Sequence, residues 1–198
     1  MKSRALMVVG VAGTGKTTLA SILSNLLGIA FIDLPQYVRE RMLYEGLEEG
    51  DMIIDLAKVS SSLGAEIRRR GDAVVASVYP FKPRSVEVEM AIILRKRPDK
   101  LLRILEERGY GPQKIAANLE AELIDLPLTQ SIDRYGKNKV VQLNVTDVDL
   151  RILSERIVDK IRSRRLRDLH EEVDWTLELE RIGKLDEILF YISRHKTF

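Results

Sequence analysis

The feature that most constrains this chain is the run Gly10-Val11-Ala12-Gly13-Thr14-Gly15-Lys16-Thr17, set between an apolar stretch and an amphipathic one. It matches G-x-x-x-x-G-K-[ST] in full. Gly10, Gly13 and Gly15 let backbone N–H groups turn inward as an anion-binding nest. A helix starting near Lys16 adds the positive end of its dipole. The context fits. Ala5–Gly10 reads as a buried strand. The stretch from Thr17 to Leu27 is apolar at 19, 20, 22, 23, 26 and 27, which is helical spacing, and Gly28 is a natural stop. In such a loop Lys16 reaches the β- and γ-phosphates of a nucleoside triphosphate and the Thr17 hydroxyl can ligate Mg²⁺. Thr14 and Thr18 complete the loop. A chance glycine-rich turn leaves the strand before and the helix after unexplained.

The rest of the chain alternates in the same way. Ile29–Asp33, Ala73–Val78, Met90–Leu94 and Lys139–Leu143 read as further strands. Gln36–Tyr44, Met52–Arg70, Pro98–Arg108, Pro112–Leu126 and Leu150–Arg167 read as helices, with Gly46–Asp51 an acidic loop. Strands alternating with helices predict an α/β architecture, a P-loop three-layer fold with a five-stranded parallel sheet covered on both faces. Beyond residue 163 no strand signal remains. Leu179, Ile182, Leu185, Ile188, Leu189 and Ile192 form a helical stripe within Glu171–Ser193. The expected division is a core over residues 1–163 and a helical C-terminal extension over 164–198. Within the core, an acceptor-binding region falls at about 34–70 and a lid at about 108–126.

Composition narrows the chemistry. The chain has 198 residues and no cysteine, which excludes disulfide frameworks, cysteine-based zinc sites and thiol nucleophiles. Two histidines, His170 and His195, make a histidine-rich metal site a poor expectation. The apolar run Ala5–Val9 is too short for a signal peptide or a membrane span, so the expected location is the cytoplasm. Four Asn, four Gln and many charged residues resemble thermophile composition. A formal charge of +2 hides an asymmetry. Residues 156–167 hold six cations and one acid, whereas residues 168–198 hold eight acids and four Lys or Arg. The expected outcome is an acidic tail folded back on the basic helix. The functional alternative is a basic surface for RNA phosphates or a ribosomal partner.

No N-K-x-D sequence is present to read guanine, since Asn138-Lys139 is followed by Val140-Val141. About forty residues between the first helix and the strand at Ala73 leave room for an acceptor-binding region, the layout of small-molecule kinases. Three further segments sharpen this: Arg39-Glu40 with Leu43-Tyr44-Glu45-Gly46, then Glu107-Arg108-Gly109-Tyr110, then Lys114 with Asn118-Leu119-Glu120-Ala121-Glu122. With Gly10–Thr17, their order and spacing over roughly residues 4–163 resemble the nuclear adenylate kinase isoenzyme family, also described as ribosome-assembly ATPases, and its archaeal homologues. The resemblance implies an adenylate-kinase-like fold, ATP and Mg²⁺, and either phosphate transfer from ATP to AMP or slow ATP hydrolysis. It also implies a small-subunit ribosomal protein of the uS11 type, or rRNA, as partner. Carried onto this sequence, Lys16 and Thr17 hold phosphate and metal, and Arg39 meets the acceptor phosphate. Arg108 and Tyr110 open the lid, and Asn144-Val145-Thr146 is the adenine-contacting loop.

The sequence departs from that pattern. The family carries an Asp at the end of the third strand and a His two residues later; here Ala76 and Val78 stand there. The first lid arginine falls on Ile104, beside Arg103. Asp33, at the end of the second strand, is the best substitute acid. It also reads as a strand-end cap or an acceptor contact. Two readings therefore stand: an adenylate-kinase-like phosphotransferase or ATPase, and a nucleotide-dependent binding module with little turnover.

Overall fold

The structure is a computed structural model that describes residues 3–48 and 51–196. Strands β1 (Arg4–Val9), β2 (Ala30–Asp33), β5 (Ala73–Ser77), β6 (Glu87–Arg95) and β7 (Val140–Asn144) form one parallel sheet in the order β2-β5-β1-β6-β7. The expected five-stranded α/β architecture is present. The central strands are apolar on both faces because helices cover both. Met7, Val9, Val75 and Ile93 pack against one layer, and Val8, Val74, Ile92 and Val141 against the other.

Helix α1 (Lys16–Leu27) follows β1 and ends at Gly28, whose left-handed φ of 66° closes the helix as expected. Helix α2 is Leu34–Glu40: it begins earlier than expected, where Asp33 caps it through Gln36 N, and ends earlier, where Met42 turns to φ 51° and Leu43 N donates to Val38 O. Between α2 and α3 the chain forms an antiparallel hairpin, β3 (Tyr44–Glu48) with β4 (Asp51–Ile54), where a loop and the start of a helix were expected. Residues 49 and 50 of that acidic stretch lie outside the described residues. Helix α3 (Leu56–Arg70) begins only where the Asp55 carboxylate accepts from Ala57 N and Lys58 N.

Helices α4 (Pro98–Glu107), α5 (Pro112–Leu123) and α6 (Leu126–Tyr135) fill the long crossover from β6 to β7. Pro127 lies in the first turn of α6, so it begins a helix instead of kinking one. Helix α7 (Leu150–Arg162) stops five residues before the expected end. Arg164 there adopts φ 57°, and a short 3₁₀ turn over Leu166–Leu169 buries both leucines against α7 and the sheet.

Among the described residues of the acidic tail only Asp168 meets the basic stretch, pairing with Lys160 and Arg165; the rest does not fold back on it. The segment after Leu169 runs back along the edge strand, with Glu171 N donating to Gln142 O. Helices α8 (Trp175–Arg181) and α9 (Leu185–His195) then pack on α4 and α5. Trp175, Leu179, Ile188 and Ile192 meet Leu101, Leu105, Ile115 and Leu119 in a third apolar cluster. Burying those side chains is worth more than exposed ion pairs at the basic helix. No described helix is long and apolar enough to cross a membrane.

Candidate active site

The site is built at the carboxyl ends of β1, β2 and β6. Between β1 and α1 the loop turns on Gly13 (φ 86°) and Gly15 (φ 90°), conformations that favour glycine. A Cβ at Gly10 would fall 2.7 Å from Thr14 Oγ1 and 2.9 Å from Leu94 O. Buried Thr14 fixes the turn by donating its hydroxyl to Val11 O at 3.0 Å. No side chain caps α1, and no acid sits in its first turn. Its first-turn N–H groups therefore face outward with the dipole behind them, a ready cradle for phosphates.

Lys16 is held over this loop, Nζ donating to Val11 O at 3.4 Å. Its pKa falls from 10.5 to about 8, chiefly through burial; Asp33 opposes the shift and Arg108 adds to it. Asp33 and Arg108 thus both lie within electrostatic reach of Lys16. Thr17 Oγ1 donates to Asp33 Oδ2 at 2.8 Å, while Asp33 Oδ1 accepts from Gln36 N at 3.1 Å. One carboxylate therefore caps α2 and meets the expected metal-ligating hydroxyl. In the sheet register Asp33 stands directly beside Ala76, which is fully buried among apolar side chains. A carboxylate thus stands one strand over from Ala76.

The remaining expected residues divide. Thr18 is exposed on the same turn as Thr17. Arg108 ends α4 and is exposed at the mouth of the loop. Arg39 sits in the last turn of α2, the end away from Asp33, exposed and without an acidic partner among the described residues. Ile104 faces the phosphate loop, 3.4 Å from where a Gly13 Cβ would stand, whereas Arg103 is exposed.

The loop after β7 is tied down on every side. Asn144 Oδ1 accepts from Thr146 N and Thr146 Oγ1, so its amide oxygen is already engaged. Buried Val145 donates its N–H to Arg95 O at 2.8 Å. A cleft of about 330 Å³ beside this loop is lined by Arg97, Asn144, Thr146, Val148, Glu171 and Glu178.

Sequence reasoning missed Lys96 and left Asn118 without a role. Lys96 Nζ donates to Val145 O at 2.8 Å, and its pKa is lowered, chiefly by burial and also by Arg108. The Arg95-Lys96-Arg97 run at the carboxyl end of a strand was the available signal. Asn118 Oδ1, on α5, accepts from Ala12 N in the phosphate loop at 3.0 Å. The helix following Tyr110 thus touches the loop directly.

The described residues hold no group of three acids or histidines that could cage a metal by themselves. A hydroxyl and a carboxylate side by side suit Mg²⁺, which keeps several waters and takes one or two carboxylates together with substrate phosphates.

The AAA domain family matches residues 6–125, the segment from β1 through α5 and its end. "Putative adenylate kinase" of Methanocaldococcus jannaschii is 30% identical over 174 residues, covering 86% of this chain and 92% of that protein. "Putative adenylate kinase" of Thermococcus kodakarensis is 29% identical, covering 94% of this chain and 98% of its own. A solved sugar kinase from Janibacter sp. HTCC2649 shares the fold with a TM-score of 0.51 at 16% identity, covering 86% of this chain and 99% of its own. With its phosphate loop, its parallel sheet and relatives matched over nearly their whole length, the chain belongs to the P-loop nucleoside monophosphate kinase family.

Proposed function

We propose that this protein binds ATP with Mg²⁺ on residues 10–18 and transfers the γ-phosphoryl group to AMP, or slowly to water. The observation that carries the reading is the Thr17 Oγ1–Asp33 Oδ2 contact at 2.8 Å, beside Ala76 in the register. Thr17, and Asp33 through water, would hold one Mg²⁺, which supplies charge neutralisation across the β- and γ-phosphates. The N–H groups of the loop orient the phosphates. Lys16 adds a cation to the transferring group, and Arg108 closes from the lid side. Phosphoryl transfer needs little else from the protein beyond position and charge. Archaeal relatives with the adenylate kinase name support AMP as acceptor. The resemblance to ribosome-assembly ATPases extends the proposal to a small-subunit ribosomal protein partner of the uS11 type.

A second reading draws on Ala76, fully buried and apolar where the family places its Asp. On that reading ATP orders the lid for a partner and turnover is absent. One assay separates the two: ATP, Mg²⁺ and each nucleoside monophosphate in turn, followed by ADP. AMP-dependent ADP formation is the expected result. ADP formed at the same slow rate without AMP indicates an ATPase. Tight ATP binding with no ADP indicates the binding module.

A further inference from the structure

The parallel sheet sends every crossover helix from the carboxyl edge, where the phosphate loop lies, back to the amino edge. Cations gather at that far edge. Helix α3 ends in Arg68, Arg69 and Arg70; α6 ends with Arg134, and α7 with Lys160 and Arg162. Helix dipoles account for about one such cation per helix end. Three consecutive arginines at 68–70 and four between 162 and 167 exceed that.

The contacts show one continuous face. Arg4, opening β1, pairs with Asp72 before β5 and with Glu89 on β6. Lys139, before β7, pairs with Glu87. Arg167 donates to Lys137 O, which ties the end of α7 to the same edge. Arg41, Arg69 and Arg70 all converge on Glu66, a carboxylate only 6% exposed. One buried charge thus holds three guanidinium groups in place and leaves the cluster cationic. The acids of this face are largely spent on cations of the same face. Lys82, Arg134, Arg162 and Arg164 have no acidic partner among the described residues. Lys82, Arg134 and Lys139 line a recess of about 290 Å³ with Glu87 and Tyr135. The whole chain has a formal charge of only +2, and residues 168–198 hold eight acids against four Lys or Arg.

We infer that this amino-edge face docks the phosphodiester backbone of a nucleic acid, on the side of the sheet opposite the nucleotide loop. The face is mostly arginine, whose fork matches phosphate oxygens. The recess between β6 and α6 suits a winding backbone more than a flat layer of lipid headgroups. Among the described residues the exposed aromatic side chains, Tyr79 and Phe190, lie elsewhere, after β5 and on α9, so this face offers no stacking platform for bases.

The test measures binding of the full chain to a short RNA duplex, its DNA counterpart, and phosphatidylcholine vesicles containing phosphatidylserine, across a salt series. RNA binding that weakens steeply with salt is expected. The pairs Lys82→Gln with Arg134→Gln and Arg162→Gln with Arg164→Gln should each lower affinity about tenfold at low salt and flatten the log–log slope by about 2. The tail pair Arg181→Gln with Arg194→Gln should do neither. Circular dichroism and unchanged ATP binding of each pair confirm folding. Lys16→Ala should bind RNA like the parent, so failure of the nucleotide reading leaves this one standing. Equal DNA binding supports phosphodiester docking without a role for the 2′-hydroxyl; tighter RNA binding supports docking of an A-form backbone. Vesicle binding without nucleic-acid binding, no binding at low salt, or an equal loss in the tail pair overturns it.

Discussion

At the scale of single residues, Lys16 and Gly13 give the clearest consequences. The folded protein holds Lys16 at about 8, against 10.5 for an unperturbed lysine. Between those values the unfolded chain keeps a proton that the folded lysine has lost. Stability without nucleotide should therefore rise with pH across that window. Bound phosphates favour the charged ammonium, so ATP binding should take up a proton above pH about 8 and almost none near pH 6. Calorimetry in two buffers of different ionisation enthalpy measures this directly. Lys16→Met should abolish the uptake; uptake unchanged in that variant assigns the proton elsewhere. Gly13 makes a separate point. Its φ of 86° and a Cβ position 2.8 Å from Leu101 Cδ1 leave little room for a side chain. Gly13→Ala should cost about 1–3 kcal/mol in denaturant unfolding and weaken ATP binding. An unchanged midpoint and affinity contradict that account.

At the scale of elements, the C-terminal helices brace the lid. Trp175 is 1% exposed, and its Nε1–H donates to Glu122 Oε1 at 2.7 Å. The same oxygen accepts from Arg95 Nε and Lys96 N, and burial raises the Glu122 pKa against the pull of Arg95. Glu178 pairs with Arg97 and Lys196 with Glu120. Helix α5, braced in this way, holds the phosphate loop through Asn118. Trp175→Ala should thus cost about 3–5 kcal/mol, by the cavity and by one lost hydrogen bond to buried Glu122. It should also weaken ATP binding, read by equilibrium titration of the folded variant. A loss of stability with ATP affinity intact would uncouple the tail from the loop. Sequence alone misplaced this tail. Opposite charge blocks at 156–167 and 168–198 suggested mutual pairing. The destination was set instead by an apolar groove between α4 and α5, whose residues lie 50 or more positions upstream. Likewise the hairpin at 44–54 was illegible, because Gly46 and the surrounding acids break strand alternation while Ile53 and Ile54 run into a true helix.

At the scale of the whole molecule, the sheet was legible because parallel strands buried on both faces read as short apolar runs between helices. The phosphate loop was legible because its glycines and lysine are contiguous. Asp33 was legible as an acid at a strand end, but Lys96 from β6 and Asn118 from α5 had no role assigned, because parallel topology assembles the site from distant segments. The charged face on the opposite edge was hidden for the same reason: its runs at 68–70 and 156–167 are visible, but not that they share one edge. The central claim is that Asp33 supplies the carboxylate that Ala76 lacks. Asp33→Asn tests it with little disturbance, since asparagine caps a helix as well as aspartate and preserves the acceptor for Gln36 N. The measurement is Mg²⁺-dependent ADP formation from ATP and AMP by the parent, by Asp33→Asn and by Asp33→Asn with Ala76→Asp. The account predicts a loss on the order of 10²–10³ in Asp33→Asn, partly restored by Ala76→Asp. Turnover in Asp33→Asn equal to that of the parent, at matched ATP binding, would contradict it.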